Sequence, residues 1–203
     1  MQGLSALRLS QADSLSLSGV AMACSIDLGD VGCPFTWEHN RAKRQCAHRA
    51  ALGARAMIYN EDALVYRGPE PKSVHVLNTS CTSGGCSPMA SHPNHVGEYW
   101  ELAIGFEMFG SAGFYRAPVP ISVLSFEILF ANANASHWIP ATLLPPAGNF
   151  QPLSASDTIG LGATAFFSSA AVPSAVRYAH GDFPVGIMHN KEGLPVGPFI
   201  INV

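Results

Sequence analysis

The sequence is poor in charge. Only 12% of its 203 residues are Asp, Glu, Lys or Arg, half the ~25% usual in soluble domains. Eleven basic against fourteen acidic side chains leave a formal net charge of −3. With no Lys/Arg-rich run, the clustered basic face that nucleic acid requires is missing, so nucleic acid is not an expected partner. Long apolar runs are also missing. The most apolar stretches, Gly19 to Ile26 and Pro118 to Ala133, are short or broken by Ser, Glu and Asn, and no bilayer span is expected. A leader peptide is not expected either: Ala21-Met22-Ala23 has the small-residue spacing of a cleavage site, but Arg8, Gln11 and Asp13 interrupt the apolar core such a leader needs. Any targeting segment would lie outside this sequence. Cysteine is scarce and odd in number, five in all, so at least one thiol has no partner within the chain.

What is abundant is apolar and turn-forming. Hydrophobic residues supply 48% of the chain, with 19 Gly and 15 Pro, the composition of a globular, β-leaning protein long enough to bury a core. Two textures meet near Tyr66. The run Gly19 to Leu28 is almost continuously apolar and ends at Gly29-Asp30, as expected for a parallel strand buried on both faces. After a loop, Arg41 to Tyr59 reads as a helix opened by Asn40 as N-cap, with Ala47, Ala50, Ala51, Ala54 and Ile58 forming an apolar stripe. Strand, loop and helix make one βα unit, which by itself can neither complete a ladder nor cover its second face. Residues 1–66 are therefore expected to be the remnant of a larger α/β domain. From Gly68 onward, short β-like runs alternate with Gly, Pro, Ser and Asn clusters. They include Tyr99 to Phe109, Ile121 to Phe130, Thr158 to Phe167 and Ala175 to Ala179. Residues 67–203 are expected to form an antiparallel, jelly-roll-like β-sandwich.

Chemistry concentrates at His39. It follows the apolar run and directly precedes the helix, so it belongs to the loop layer at the carboxyl edge of a sheet, where α/β folds place their crevices. A histidine there is suited to take a proton from a serine hydroxyl and pass it to a leaving group, although on chemistry alone a loop histidine is more often structural. Cys81 and Cys86, with His92 and His95, are of zinc-ligand type, but their spacing is too short for a finger and favours a disulfide-closed Gly-Gly loop. His48 reads as a helix-surface residue, Trp100 and Trp138 as core aromatics before sugar platforms, Arg177-Tyr178 as packing, and Glu192-Gly193-Leu194-Pro195 as a turn.

Several ordered blocks carry a family likeness. They are Leu7-Arg8-Leu9-Ser10-Gln11; Val20 through Asp30; Cys33-Pro34-Phe35 with His39 and Lys43; Ala51-Leu52-Gly53-Ala54-Arg55-Ala56 with Tyr59; and Tyr66-Arg67-Gly68-Pro69. Near the end, Ala175-Val176-Arg177-Tyr178-Ala179 is followed by Asn190 through Pro195 and by Pro198-Phe199. Together they resemble the sialate O-acetylesterases. The resemblance implies an SGNH-hydrolase-like α/β domain followed by a β-rich domain, acting on O-acetylated sialic acid or a related acetylated sugar in a lysosomal or secreted setting, without a cofactor or metal. It assigns His39 as general base. The family's Gly-Gln-Ser-Asn-type nucleophile turn is absent, Thr36 and Trp37 stand where an orienting Asp is common, and His180 replaces the tryptophan of an Arg-Tyr-Ala-Trp signature. The expectation is the C-terminal portion of a serine esterase, inactive alone, with a missing N-terminal catalytic segment as its partner. Two rivals are a non-catalytic β-sandwich that binds a glycan or a protein, and a truncated product that does not fold alone.

Overall fold

Alternation of apolar and polar side chains builds most of the molecule. In a computed structural model the described residues are 3–30, 32–35, 39–79, 98–110, 114–116, 125–131, 136–144, 158–165, 172–181, 184, 186 and 188–203. The strands are β1 (Glu70–Thr79), β2 (Glu98–Glu107), β3 (Tyr115–Arg116), β4 (Phe126–Ala131), β5 (Ser136–Leu144), β6 (Thr158–Ala165), β7 (Val172–Tyr178), β8 (Met188–His189) and β9 (Phe199–Asn202). Seven form one antiparallel sheet in the order β1-β2-β6-β5-β4-β7-β9, and β3 pairs with β8 in a second.

In β4, Phe126, Ile128 and Phe130 point inward while Glu127 and Leu129 are half-exposed, the period-two pattern of a strand with one buried face. Leu102, Ile104 and Phe106 of β2 are buried in the same way. The seven-stranded sheet curls over its own core. Trp100 of β2 meets Phe130 of β4 at 6.1 Å between ring centroids, and Phe106 meets Phe199 of the far edge strand β9 at 6.0 Å. Tilted and edge-on ring pairs of this kind add to the ~1.5–3 kcal/mol from burying each large side chain.

Two prolines lie within strands, where the lost N–H matters. Pro140 opposes Glu127 of β4, whereas β6 pairs only with Thr142 to Leu144, so no ladder partner lies on Pro140's other side. Pro173 of β7 opposes Phe130 at a register shift, clear of the β9 pairing that begins at Ala175.

Residues 1–66 depart from expectation. The Gly19–Leu28 run forms no strand. It passes irregularly into a single 3-10 turn, Ile26–Leu28, and among the described residues no strand pairs with it to complete a ladder. Helix α1 (Gly3–Asp13), unforeseen, lies ahead of it. Helix α2 spans Lys43–Ile58, close to the expected bounds, but Ala42 occupies the N-cap without a side-chain bond and Asn40 turns inward instead, its amide 3.8 Å from the Cys46 thiol. The expected apolar stripe is also reversed. Arg49 and Gly53 are buried, while Ala47, Ala50, Ala51 and Ile58 face outward. Gly53 sits against the Ala21 methyl, and Arg49 has ionic partners beneath the helix, so close approach and charge pairing set its rotation.

This segment rests on the β8–β9 end of the sheets. Arg8 Nη1 donates to the Gly181 carbonyl at 2.6 Å, and Gly68 passes so near Pro195 that a Cβ there would lie 1.9 Å from the carbonyl oxygen. Among the described residues, no helix is long and apolar enough to cross a membrane.

Candidate active site

His39 sits at the end of a clasped loop. Asp30 accepts from Arg41 Nε at 2.6 Å and Nη2 at 2.9 Å, and from the backbone N–H groups of Gly32 and Arg41 at 3.2 Å each. A carboxylate with so many donors is stabilised in its charged form. The Arg41 guanidinium, the largest influence, holds Asp30 down to about 2. The clasp closes the segment from Asp30 to Arg41, and the Cys33 thiol donates to the His39 carbonyl at 2.8 Å. His39 itself is exposed. Thr36, Trp37 and Glu38, the positions in question for an orienting acid, lie outside the described residues, as do Cys81, Cys86, His92 and His95.

Beside the loop lies an open groove of about 760 Å³. Leu4 and Leu7 of α1, the stretch Ala21 to Ile26, and Pro184 and Pro198 line it. Gly29 and Asn40, the latter next to His39 in sequence, also line the groove, and His39 is not among its lining residues. Arg8 adds a guanidinium to a lining of mixed character, with Gln11, Ser14, Ser25 and Asn40 among the apolar side chains.

A second constellation, not foreseen, joins three distant stretches. Asp27, in the 3-10 turn, receives Arg49 Nη1 on Oδ1 at 2.6 Å and Nη2 on Oδ2 at 2.8 Å, and His189 Nε2 of β8 lies 3.1 Å from the same Oδ2. Arg49 Nη1 also donates to the Cys24 carbonyl at 2.7 Å. Burial acts to raise the Asp27 pKa, but the Arg49 hydrogen bonds, the His189 contact and the Arg49 charge outweigh it and hold the carboxyl well below the usual range. Thus Asp27 and His189, from opposite ends of the chain, form an Asp–His contact. A carboxylate gripped bidentately by a buried guanidinium acts first as a bolt between segments. Asp27 lies within the stretch Val20–Asp30, but its partners are 22 and 162 positions away, and no local pattern signals them.

The remaining candidates fall to structural roles. Trp100 is in the core. Trp138 is half-buried with the Arg177 guanidinium 4.1 Å from its ring centre, and Arg177 also forks onto Glu127 at 2.7 and 2.8 Å. Tyr178 is buried, and its hydroxyl accepts from the Met188 N–H at 3.2 Å. His180 is lowered in pKa, by burial first and then by the Arg177 charge. His48 is exposed on α2, and residues 190–194 form the expected turn, with Gly193 at φ +76°.

Comparison with known proteins follows the same lines. Over 187 residues, 90% of this chain, it is 45% identical to the sialate O-acetylesterase of Rattus norvegicus and 28% identical to that of Mus musculus, spanning 28% of the length of each. The sialate O-acetylesterase of Homo sapiens is 43% identical over 56 residues, 28% of this chain and 11% of that protein. No family model matches the chain.

Proposed function

Belonging with the sialate O-acetylesterases along 90% of its length, this chain is, we propose, the portion of such an esterase that supplies the general base and the β-rich domain. In this reading residues 1–66 are the end of an SGNH-like α/β domain, residues 67–203 are a β-sandwich, and the nucleophilic serine comes from outside the chain. The substrate class is an acetyl ester of a sialic acid or a related sugar. His39 takes the proton of the serine hydroxyl as the oxygen attacks the acetyl carbonyl, then returns it to the departing sugar oxygen. The same imidazole next deprotonates water, which attacks the acetyl-enzyme and releases acetate, and the proton goes back to serine. The reading calls on no metal or organic cofactor.

The observation that carries it is that His39 falls within the segment clasped by Asp30 and Arg41, next in sequence to the groove-lining Asn40, in a chain whose relatives bear the name of this activity. The deciding experiment measures p-nitrophenyl acetate and O-acetylated sialic acid hydrolysis by the chain alone and by a full-length hybrid in which it replaces its counterpart in the rat relative. The chain alone is expected to be inactive. The hybrid is expected to turn over and to lose on the order of 10⁶ in kcat on His39→Ala, the scale seen when a triad member is removed from a serine protease. Turnover by the isolated chain, or a hybrid indifferent to His39→Ala, overturns the proposal.

A further inference from the structure

A second groove, of about 480 Å³, is lined by four side chains of helix α2 and by the turn at residues 192–194. Its volume suits one small ligand. Helix α2 carries Lys43, Arg44, Arg49 and Arg55 and no acidic residue. The four that line the groove, Arg44, Gln45, His48 and Arg49, follow the i, i+1, i+4, i+5 pattern of a single helical face. Every one of them can donate a hydrogen bond. Arg49 is committed to Asp27. Among the described residues, the side chains of Arg44, Gln45 and His48 make no hydrogen bond or ion pair, although all three line the same groove. Glu192 is the one acid in the lining, and it is already engaged: its Oε1 lies 3.0 Å from where a Cβ on Gly110 would stand. Three unused donors gathered on one groove, with the nearby acids occupied, make a site for an anion rather than a merely solvated helix face.

We infer that this groove receives the carboxylate of an acidic sugar, with Arg44 as the specificity-determining residue. The planar guanidinium fork of Arg44 matches a carboxylate with two parallel hydrogen bonds, and Gln45 and His48 add donors for its oxygens or for a neighbouring hydroxyl. A sialic acid carries such a carboxylate and a neutral acetylated sugar does not. The inference takes its ligand from the function proposed above and narrows the substrate from acetylated sugars at large to acidic ones. Arg44 lies five positions beyond His39, on the helix that His39 precedes. Because Arg44 and His48 are exposed, solvent screens the contact, and binding is expected to be modest and salt-sensitive.

Free N-acetylneuraminic acid, which has no O-acetyl ester to hydrolyse, probes the groove without the reaction. Added to the isolated chain, it is expected to shift the amide NMR signals of residues 44–49 and 192–194 saturably, and to lose most of this effect in about 1 M NaCl. Its methyl ester, with the carboxylate blocked, is expected to leave them unshifted. Arg44→Gln is expected to weaken binding about tenfold, and Arg44→Lys, which keeps the charge without the fork, to recover only part of the loss. In the full-length hybrid, the kcat/KM ratio of O-acetylated sialic acid to its methyl ester is expected to fall about tenfold on Arg44→Gln, a change in preference that a structural role alone does not produce. The inference is overturned by the absence of saturable shifts at millimolar sugar, by equal binding of acid and methyl ester, or by native affinity in Arg44→Gln. Carboxylate-dependent binding without ester turnover in the hybrid keeps the groove and removes the esterase reading. Turnover with no preference for the free carboxylate does the reverse.

Discussion

Arg49 grips Asp27 with both terminal nitrogens across 22 positions of sequence, and the carboxylate it holds also touches His189 from the far end of the chain. Both side chains of the ion pair are nearly buried, so removing one leaves the other as an uncompensated charge, a change that typically costs about 3–5 kcal/mol. Arg49→Met is therefore expected to lower the unfolding free energy by that order. The double variant Asp27→Leu/Arg49→Met, which removes both charges, is expected to recover most of the loss. Urea denaturation of the native chain and the two variants checks this, and equal losses in the single and double variants would show that the pair itself stabilises the fold.

The same carboxylate gives stability an acid limb. Because the folded Asp27 pKa lies below its unfolded value near 3.9, the unfolded chain takes up a proton first as pH falls. The contribution is complete above about pH 5 and fades as pH drops below that toward the folded value. Urea midpoints measured between pH 2 and pH 6 are expected to fall steeply at the acid end for the native chain. Asp27→Asn is expected to start lower and to fall less. Parallel curves for the two proteins would assign the acid sensitivity to other groups.

Sequence pattern reached the sheet wherever packing is local and periodic, as in β2, β4, β6 and β7, whose alternating apolar residues face one core. It did not reach β5, because Pro140 and His137 disguise a strand that is paired on only one side at that point. Nor did it reach β1, where Lys72, Ser73 and His75 dilute the apolar signal of an edge strand. Gly19–Leu28 fails for a different reason: its composition suits a sheet whose other strands are not among the described residues, so the local signal and the available partners disagree. That His39 lies just ahead of helix α2 was legible in the sequence. The Asp27–Arg49–His189 cluster was not, since it depends on how α2 rotates and on where β8 arrives.

The close passage of the chain ahead of β1 past Pro195 depends on glycine at position 68. A Cβ there meets the Pro195 carbonyl oxygen at 1.9 Å and its carbon at 2.6 Å, both backbone atoms that cannot swing aside. Gly68→Ala is expected to cost about 1–3 kcal/mol, the range for overpacking that forces backbone shifts. Gly181→Ala, where nothing lies within 4 Å of the added carbon, serves as the control and is expected to stay within about 0.5 kcal/mol. Thermal melts of the two variants decide it, and a Gly68→Ala protein as stable as the control would show that the linker re-seats freely.

Arg177 ties three strands of the sheet. It forks onto Glu127 of β4 and covers the Trp138 ring of β5, while its own strand, β7, pairs with β4 and β9. Glu127 and Arg177 are both partly exposed, so solvent screens the ion pair, and much of the expected effect comes from the stacked guanidinium. Arg177→Lys keeps the charge but loses the planar fork and the stack, and is expected to cost about 1 kcal/mol. In a double-mutant cycle with Trp138→Leu, the coupling energy is expected to be about 0.5–1 kcal/mol, because the tryptophan has little left to lose once the guanidinium is gone. Urea titrations of the native chain, both single variants and the double variant supply the four corners. Strict additivity would show that the Arg177–Trp138 contact contributes nothing and that Arg177 acts through Glu127 alone.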